Sequence, residues 1–129
     1  MKQSVETDIV CIERILKYVD LISDAYSMFN IGSETDLKNS HVCQLAVAQA
    51  ITNINELRKK LRDETVKKMP LFGSVRLKAA RNIASHDYDS LDFDIIYKRT
   101  QQILNPEVNS ELEAMKNAFE SSNTNDVKR

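Results

Sequence analysis

Apolar residues recur every three or four positions along most of this chain. Over residues 8–29 they fall at Ile9, Ile12, Leu16, Val19, Ile22, Tyr26 and Phe29, the stripe of an amphipathic helix. Cys11, Ile15, Tyr18, Ala25 and Met28 widen that stripe, so this helix is expected to touch more than one neighbour. Residues 30–39 carry Gly32 and polar side chains and read as a loop. Ser40 is placed to cap a second helix over 41–61. The first half of that helix, from Val42 to Ile54, is small and apolar, which predicts a central position. Its second half turns charged through Glu56, Arg58, Lys59, Lys60 and Arg62. Residues 63–69 read as a charged link.

Pro70 then opens a third helix, predicted over 71–86, with Val75, Leu77, Ala79, Ala80, Ile83 and Ala84 on its apolar arc. Asp89 and Asp92 suit turn and N-cap roles ahead of a fourth helix over 93–104, carried by Phe93, Ile96, Tyr97, Thr100, Ile103 and Leu104. Asn105-Pro106-Glu107 has the order of a cap, a first-position proline and an acidic first turn. The last helix is expected over 106–119, with Val108, Leu112, Met115 and Phe119 as its stripe.

Composition agrees with this pattern. Only two Gly and two Pro occur in 129 residues, too few turn formers for a sheet protein and compatible with long helices. The length suits one domain with a real core. The expected fold is all-α: an antiparallel up-and-down bundle of four main helices plus a short C-terminal helix. The domain is expected to span residues 1–120, with 121–129 as a disordered polar tail. Cys11 and Cys43 sit among apolar residues and read as small buried hydrophobes; no zinc-type spacing is present, and no metal or cofactor is expected. His41 reads as an exposed residue at a helix start. There is no secretory signal and no long apolar run, so a cytoplasmic protein that does not cross a membrane is expected.

The net charge of −1 hides an asymmetry. Residues 58–81 hold nine of the 18 basic residues and only two acids, Asp63 and Glu64. Such a stretch is either a solvated helix end or a patch that attracts phosphate. In the second reading Lys59, Lys60, Lys67, Lys68, Arg76 and Lys78 bind an RNA backbone. The stretch has almost no stacking aromatics, so binding would follow backbone phosphate rather than base identity.

Within and after that stretch lies Arg81-Asn82-Ile83-Ala84-Ser85-His86-Asp87-Tyr88. Arg81 is a permanent cation suited to paired hydrogen bonds with phosphate oxygens. His86 is able to take a proton from a ribose 2′-hydroxyl or give one to a leaving oxygen. Together they suffice for metal-independent RNA cleavage. On a straight helix the two side chains point about 140° apart. Either the helix ends before His86, or a second copy of the chain supplies the missing partner. The acids Asp87, Asp89, Asp92 and Asp94 are a possible cation cluster, but turn and cap roles explain them as well.

With its Pro-opened third helix, the Arg-Asn and His-Asp-Tyr string, and Asn-Pro behind the fourth helix, the chain resembles HepT-like proteins of the HEPN superfamily over about residues 5–118. Leu71 departs from the tryptophan that members often carry after the proline. The resemblance implies a homodimeric endoribonuclease, the toxin of a bacterial toxin–antitoxin pair. It implies Arg81 and His86 as catalytic residues, with Asn82 and Asp87 supporting them. It also implies Tyr88 as the acceptor of AMP from a minimal MntA-like nucleotidyltransferase antitoxin. Two other readings remain: a non-catalytic HEPN module that binds a nucleotidyltransferase, and a plain structural dimer.

Overall fold

The computed structural model describes residues 4–77 and 92–127, with side chains described as far as residue 122. Among the described residues the chain forms seven α-helices and no strand. They are α1 (Val5–Met28), α2 (Glu34–Lys38), α3 (His41–Lys60), α4 (Asp63–Lys67), α5 (Pro70–Ser74), α6 (Phe93–Ile103) and α7 (Pro106–Val127). The all-helical class expected from the periodicity is therefore present. No helix among the described residues is long and apolar enough to cross a membrane.

The first helix starts earlier than its apolar stripe suggests, because polar residues build its N-terminus. The Ser4 hydroxyl accepts from Thr7 N, and Thr7 Oγ1 accepts from Ser4 N at 2.8 Å, a reciprocal capping box. Its C-terminus closes with Asn30 at a φ of 56°. Ile31 N donates to Tyr26 O at 2.8 Å and Asn30 N to Ser27 O at 3.3 Å. That is a left-handed closing turn, which an asparagine tolerates at small cost.

From this turn the chain does not run as a loop. Ser33 caps the short α2, whose Leu37 is fully buried. Ser40 then occupies the N-cap position of α3 without making a capping bond. The corner is tied instead by Gln44, whose Nε2 donates to Leu37 O and Lys38 O at 2.8 and 2.7 Å.

Helices α1 and α3 lie antiparallel and form the core of the molecule. The start of α1 meets the far end of α3, where Arg62 N and Nε both donate to the Asp8 carboxylate. Ile12, Ile15, Ile22, Ile51 and Ile54 are fully buried between them and their neighbours. Cys11 and Cys43 are buried in the same core as free thiols, as their apolar surroundings suggested, and burial raises the pKa of both. Helix α6 closes the other end. The Tyr26 hydroxyl bonds to Thr100 Oγ1, whose own proton goes to Tyr97 O at 2.8 Å. Asp92 caps α6 through Asp94 N and Ile95 N, and Asn105 Oδ1 accepts from Glu107 N at the start of α7, both as expected.

Three further expectations need correction. Residues 63–67 are helical rather than a link, since Asp63 and Glu64 suit the positive end of a helix. The last helix passes residue 119 and runs through Val127, into the stretch expected to be a disordered tail. The continuous third helix expected over 71–86 does not exist as such. Helix α5 stops at Ser74, and Val75 takes an extended conformation with ψ 128°. The break coincides with an outside partner for the backbone, described next.

Candidate functional site

The basic corner of the molecule is built where α3, α4 and α5 meet. Helix α5 is only five residues long and could not persist alone. Two charged side chains hold it. At its N-terminus Glu111 of α7 accepts from Leu71 N at 3.1 Å and from Phe72 N at 2.8 Å. These are orphan donors at the positive end of the helix. At its C-terminus Arg58 of α3 donates through Nη1 to Phe72 O at 3.0 Å and Val75 O at 2.8 Å. The Arg58 guanidinium also lies 5.6 Å from the centre of the Phe72 ring. The chain turns at Val75 because its carbonyl bonds to Arg58 rather than to a further helical turn. Gly73 lets α5 approach α4, since a Cβ there would stand 3.1 Å from Val66 Cγ1.

Beside this clamp lies a pocket of about 430 Å³ lined by Asn55, Arg58, Lys59, Leu61, Asp63, Val66 and Lys67. Asn55, Arg58 and Lys59 are three and four residues apart on α3, the spacing that gathers side chains on one helix face. Arg58 is half-buried and no carboxylate among the described residues pairs with it. Burial lowers its pKa, though a guanidinium stays charged at any physiological pH. Lys59 is 3.7 Å from Glu56 Oε1, a loose, exposed pair. Asn55 is 2% exposed, and its Nδ2 has no hydrogen-bond partner among the described residues.

Next to this pocket, but distinct from it, Arg62 forms a closed ionic cluster. Its Nε donates to Asp8 Oδ2 at 2.8 Å and its backbone N to Oδ1 at 3.2 Å, while Thr65 Oγ1 donates to Oδ2 as well. Asp8 is fully buried and its carboxylate is satisfied by all three. The hydrogen bond to Asp8 raises the Arg62 pKa above its ordinary value. The guanidinium also lies 5.8 Å from the Phe119 ring centre, which joins α7 to the same corner.

The expected phosphate-binding residues do not all face one way. Lys59 and Lys67 line the pocket together. Lys68 and Arg76 are exposed outside that lining. Lys60 faces α1 instead, bordering a smaller hollow of about 160 Å³ with Arg14 and Tyr18. Lys78, Arg81, Asn82, His86, Asp87 and Tyr88 lie outside the described residues, as does Asp89. Among the described residues no group of three or more His, Cys, Asp or Glu side chains is placed to hold a metal ion. His41 is exposed in the first turn of α3, as expected.

No protein-family model matches this chain, and no curated protein or solved structure matches it either. Nothing in these comparisons identifies a HEPN protein. Sequence reasoning missed Asn55 and Arg58, which periodicity assigns to a helix without saying what they face. The signal that could have singled them out is weak: an asparagine and an arginine one turn apart at the point where an apolar helix becomes charged.

Proposed function

We propose that the chain is a metal-independent endoribonuclease of HepT-like, HEPN type. In this reading it acts as a homodimer and as the toxin of a toxin–antitoxin pair. Arg81 binds and stabilises the scissile phosphate, and His86 moves the proton of the attacking 2′-hydroxyl or of the leaving oxygen. Asn82 and Asp87 support them. A minimal MntA-like nucleotidyltransferase silences the enzyme by transferring AMP to Tyr88.

The observation that carries the reading is the Arg81–His86–Tyr88 string following directly on a cation-lined corner of an all-helical protein. The Val75 carbonyl, on the last turn before the string, is bonded to a pocket residue. That corner offers cations for a polyanion.

Expression in a bacterial host tests the biological half. Induction of the parent is expected to arrest growth, and His86→Ala to relieve the arrest with the dimer intact. Co-expression with the nucleotidyltransferase should add the mass of one AMP moiety to Tyr88 and restore growth. A Tyr88→Phe variant neutralised as fully as the parent would remove the modification from the account. Co-purification with the nucleotidyltransferase without any RNA turnover would favour the non-catalytic module.

A further inference from the structure

We propose that the pocket between the end of α3 and α4 is a phosphate-binding site, with Asn55 as its buried amide donor and Arg58, Lys59 and Lys67 as its charges. The inference rests on the nuclease reading for the source of the phosphate, an RNA backbone. It adds phosphate-binding atoms on α3 and α4 to those read from the Arg81–His86 string.

Three features of the corner are incomplete without an anion. Arg58 is half-buried, and its Nη1 is used by two backbone carbonyls; its Nε and Nη2 make no other described bond, and no carboxylate among the described residues balances its charge. Among the described residues Lys67 makes no ion pair, and Lys59 makes only its loose contact with Glu56. Asn55 keeps a buried N–H donor with no acceptor among the described residues, an arrangement native proteins seldom leave unresolved. A phosphate oxygen supplies that acceptor, and the phosphate charge offsets the three cations. Asn55 lines the pocket while its Nδ2 is itself buried. A turn of the amide about χ2, a soft torsion, presents it to a ligand.

Size and lining narrow the ligand. A volume of about 430 Å³ falls within the range of small-ligand sites, about 300–1,000 Å³. It admits a phosphate with a sugar attached. The described lining has no aromatic ring on which a base could stack, so recognition goes to the phosphate and not to base identity. Asp63 is the one acid in the described lining, and it is exposed at the start of α4, where water screens it.

Affinity measurements on the full chain test the site. The probes are a short 2′-O-methyl RNA, which lacks the attacking hydroxyl, together with AMP and inorganic phosphate. Asn55→Leu and Lys67→Glu are each expected to weaken RNA binding about tenfold or more. Lys17→Glu, an exposed cation outside this lining, is expected to stay close to the parent. Displacement of RNA by AMP or phosphate from the parent, weakened in Asn55→Leu, shows that the pocket also takes free monoesters. RNA binding that depends on Asn55 without such displacement assigns it to the phosphodiester backbone. If Asn55→Leu fails to fold, Lys67→Glu decides alone.

Parental RNA affinity in both variants, or no saturable binding of any probe, overturns the site. Cleavage that persists in EDTA with such unchanged affinity would leave the nuclease standing without this pocket. Asn55-dependent binding with no cleavage by the parent would keep the pocket and remove the nuclease.

Discussion

Arg58 and Arg62 stand four residues apart at one corner of the molecule, yet their environments are opposite. Arg62 meets a fully buried carboxylate, and its hydrogen bond to Asp8 raises its pKa. Arg58 meets two backbone carbonyls and no described carboxylate, and burial lowers its pKa. The first arginine is used up by the fold. It ties the start of α1 to the end of α3 and to Phe119 of α7. The second also serves the fold, since it ends α5, but no carboxylate among the described residues balances its charge beside the pocket. A cation completed by the protein reads as architecture. A cation left incomplete, next to an amide that is also incomplete, reads as a place for a ligand.

Variants at the corner break or sharpen that contrast. The largest effect on stability is expected from Arg62→Met, which leaves the Asp8 charge buried with only part of its hydrogen bonding. Breaking a buried pair in this way costs about 3–5 kcal/mol, and the lower end is expected because Thr65 still donates. Urea denaturation measures it, and the double variant Asp8→Leu with Arg62→Met should recover much of the loss.

Arg58→Met comes next, at about 2 kcal/mol, for the loss of two charge-assisted bonds to α5. Part of that loss is offset because a desolvated cation is removed. It should also weaken RNA binding, which Arg62→Met should not do at temperatures where that variant remains folded. Glu111→Gln should cost about 1–2 kcal/mol, since the amide oxygen still accepts from one of the two N–H groups, the other meets the amide NH2, and the charge at the α5 N-terminus is gone. Hydrogen exchange at Leu71 and Phe72 would report it locally. The smallest stability change, within about 0.5 kcal/mol, belongs to the exposed Lys67→Glu. Its effect should appear in RNA affinity alone, together with a shallower dependence of that affinity on salt. Equal losses of RNA affinity in Arg62→Met and Lys67→Glu would erase the distinction between the two sides of the corner.

Much of the fold was legible because long helices announce themselves. The stripes of α1, α3, α6 and α7 are visible in the spacing of Ile12, Leu16, Ile51, Ile96 and Leu112, and the caps at Asp92 and Asn105 are in the residues themselves. Helices α2 and α4 were not legible, since five residues are too few to show a period. The break after Ser74 was invisible for a different reason. Its cause is an arginine 17 residues away in sequence that takes the Val75 carbonyl, and no local pattern encodes that. Likewise Asp8 reads as an ordinary acidic first-turn residue until Arg62 and Thr65 are brought to it by the fold.

The proposed chemistry rests on a signal of another kind. Arg81, His86 and Tyr88 carry their message as residue types in sequence. The pocket is a product of tertiary structure, assembled from Asn55 and Arg58 on α3 and Lys67 on α4, and only the lysines had been singled out by charge.

The central claim is that this chain cleaves RNA with Arg81 and His86 and without a metal. The most direct measurement is cleavage of an end-labelled RNA in EDTA by the purified parent, beside Arg81→Ala and His86→Ala. The account predicts cleavage by the parent alone, leaving 2′,3′-cyclic phosphate ends. Full cleavage by His86→Ala, or none by a parent whose Tyr88 is shown by mass spectrometry to be unmodified, would contradict it.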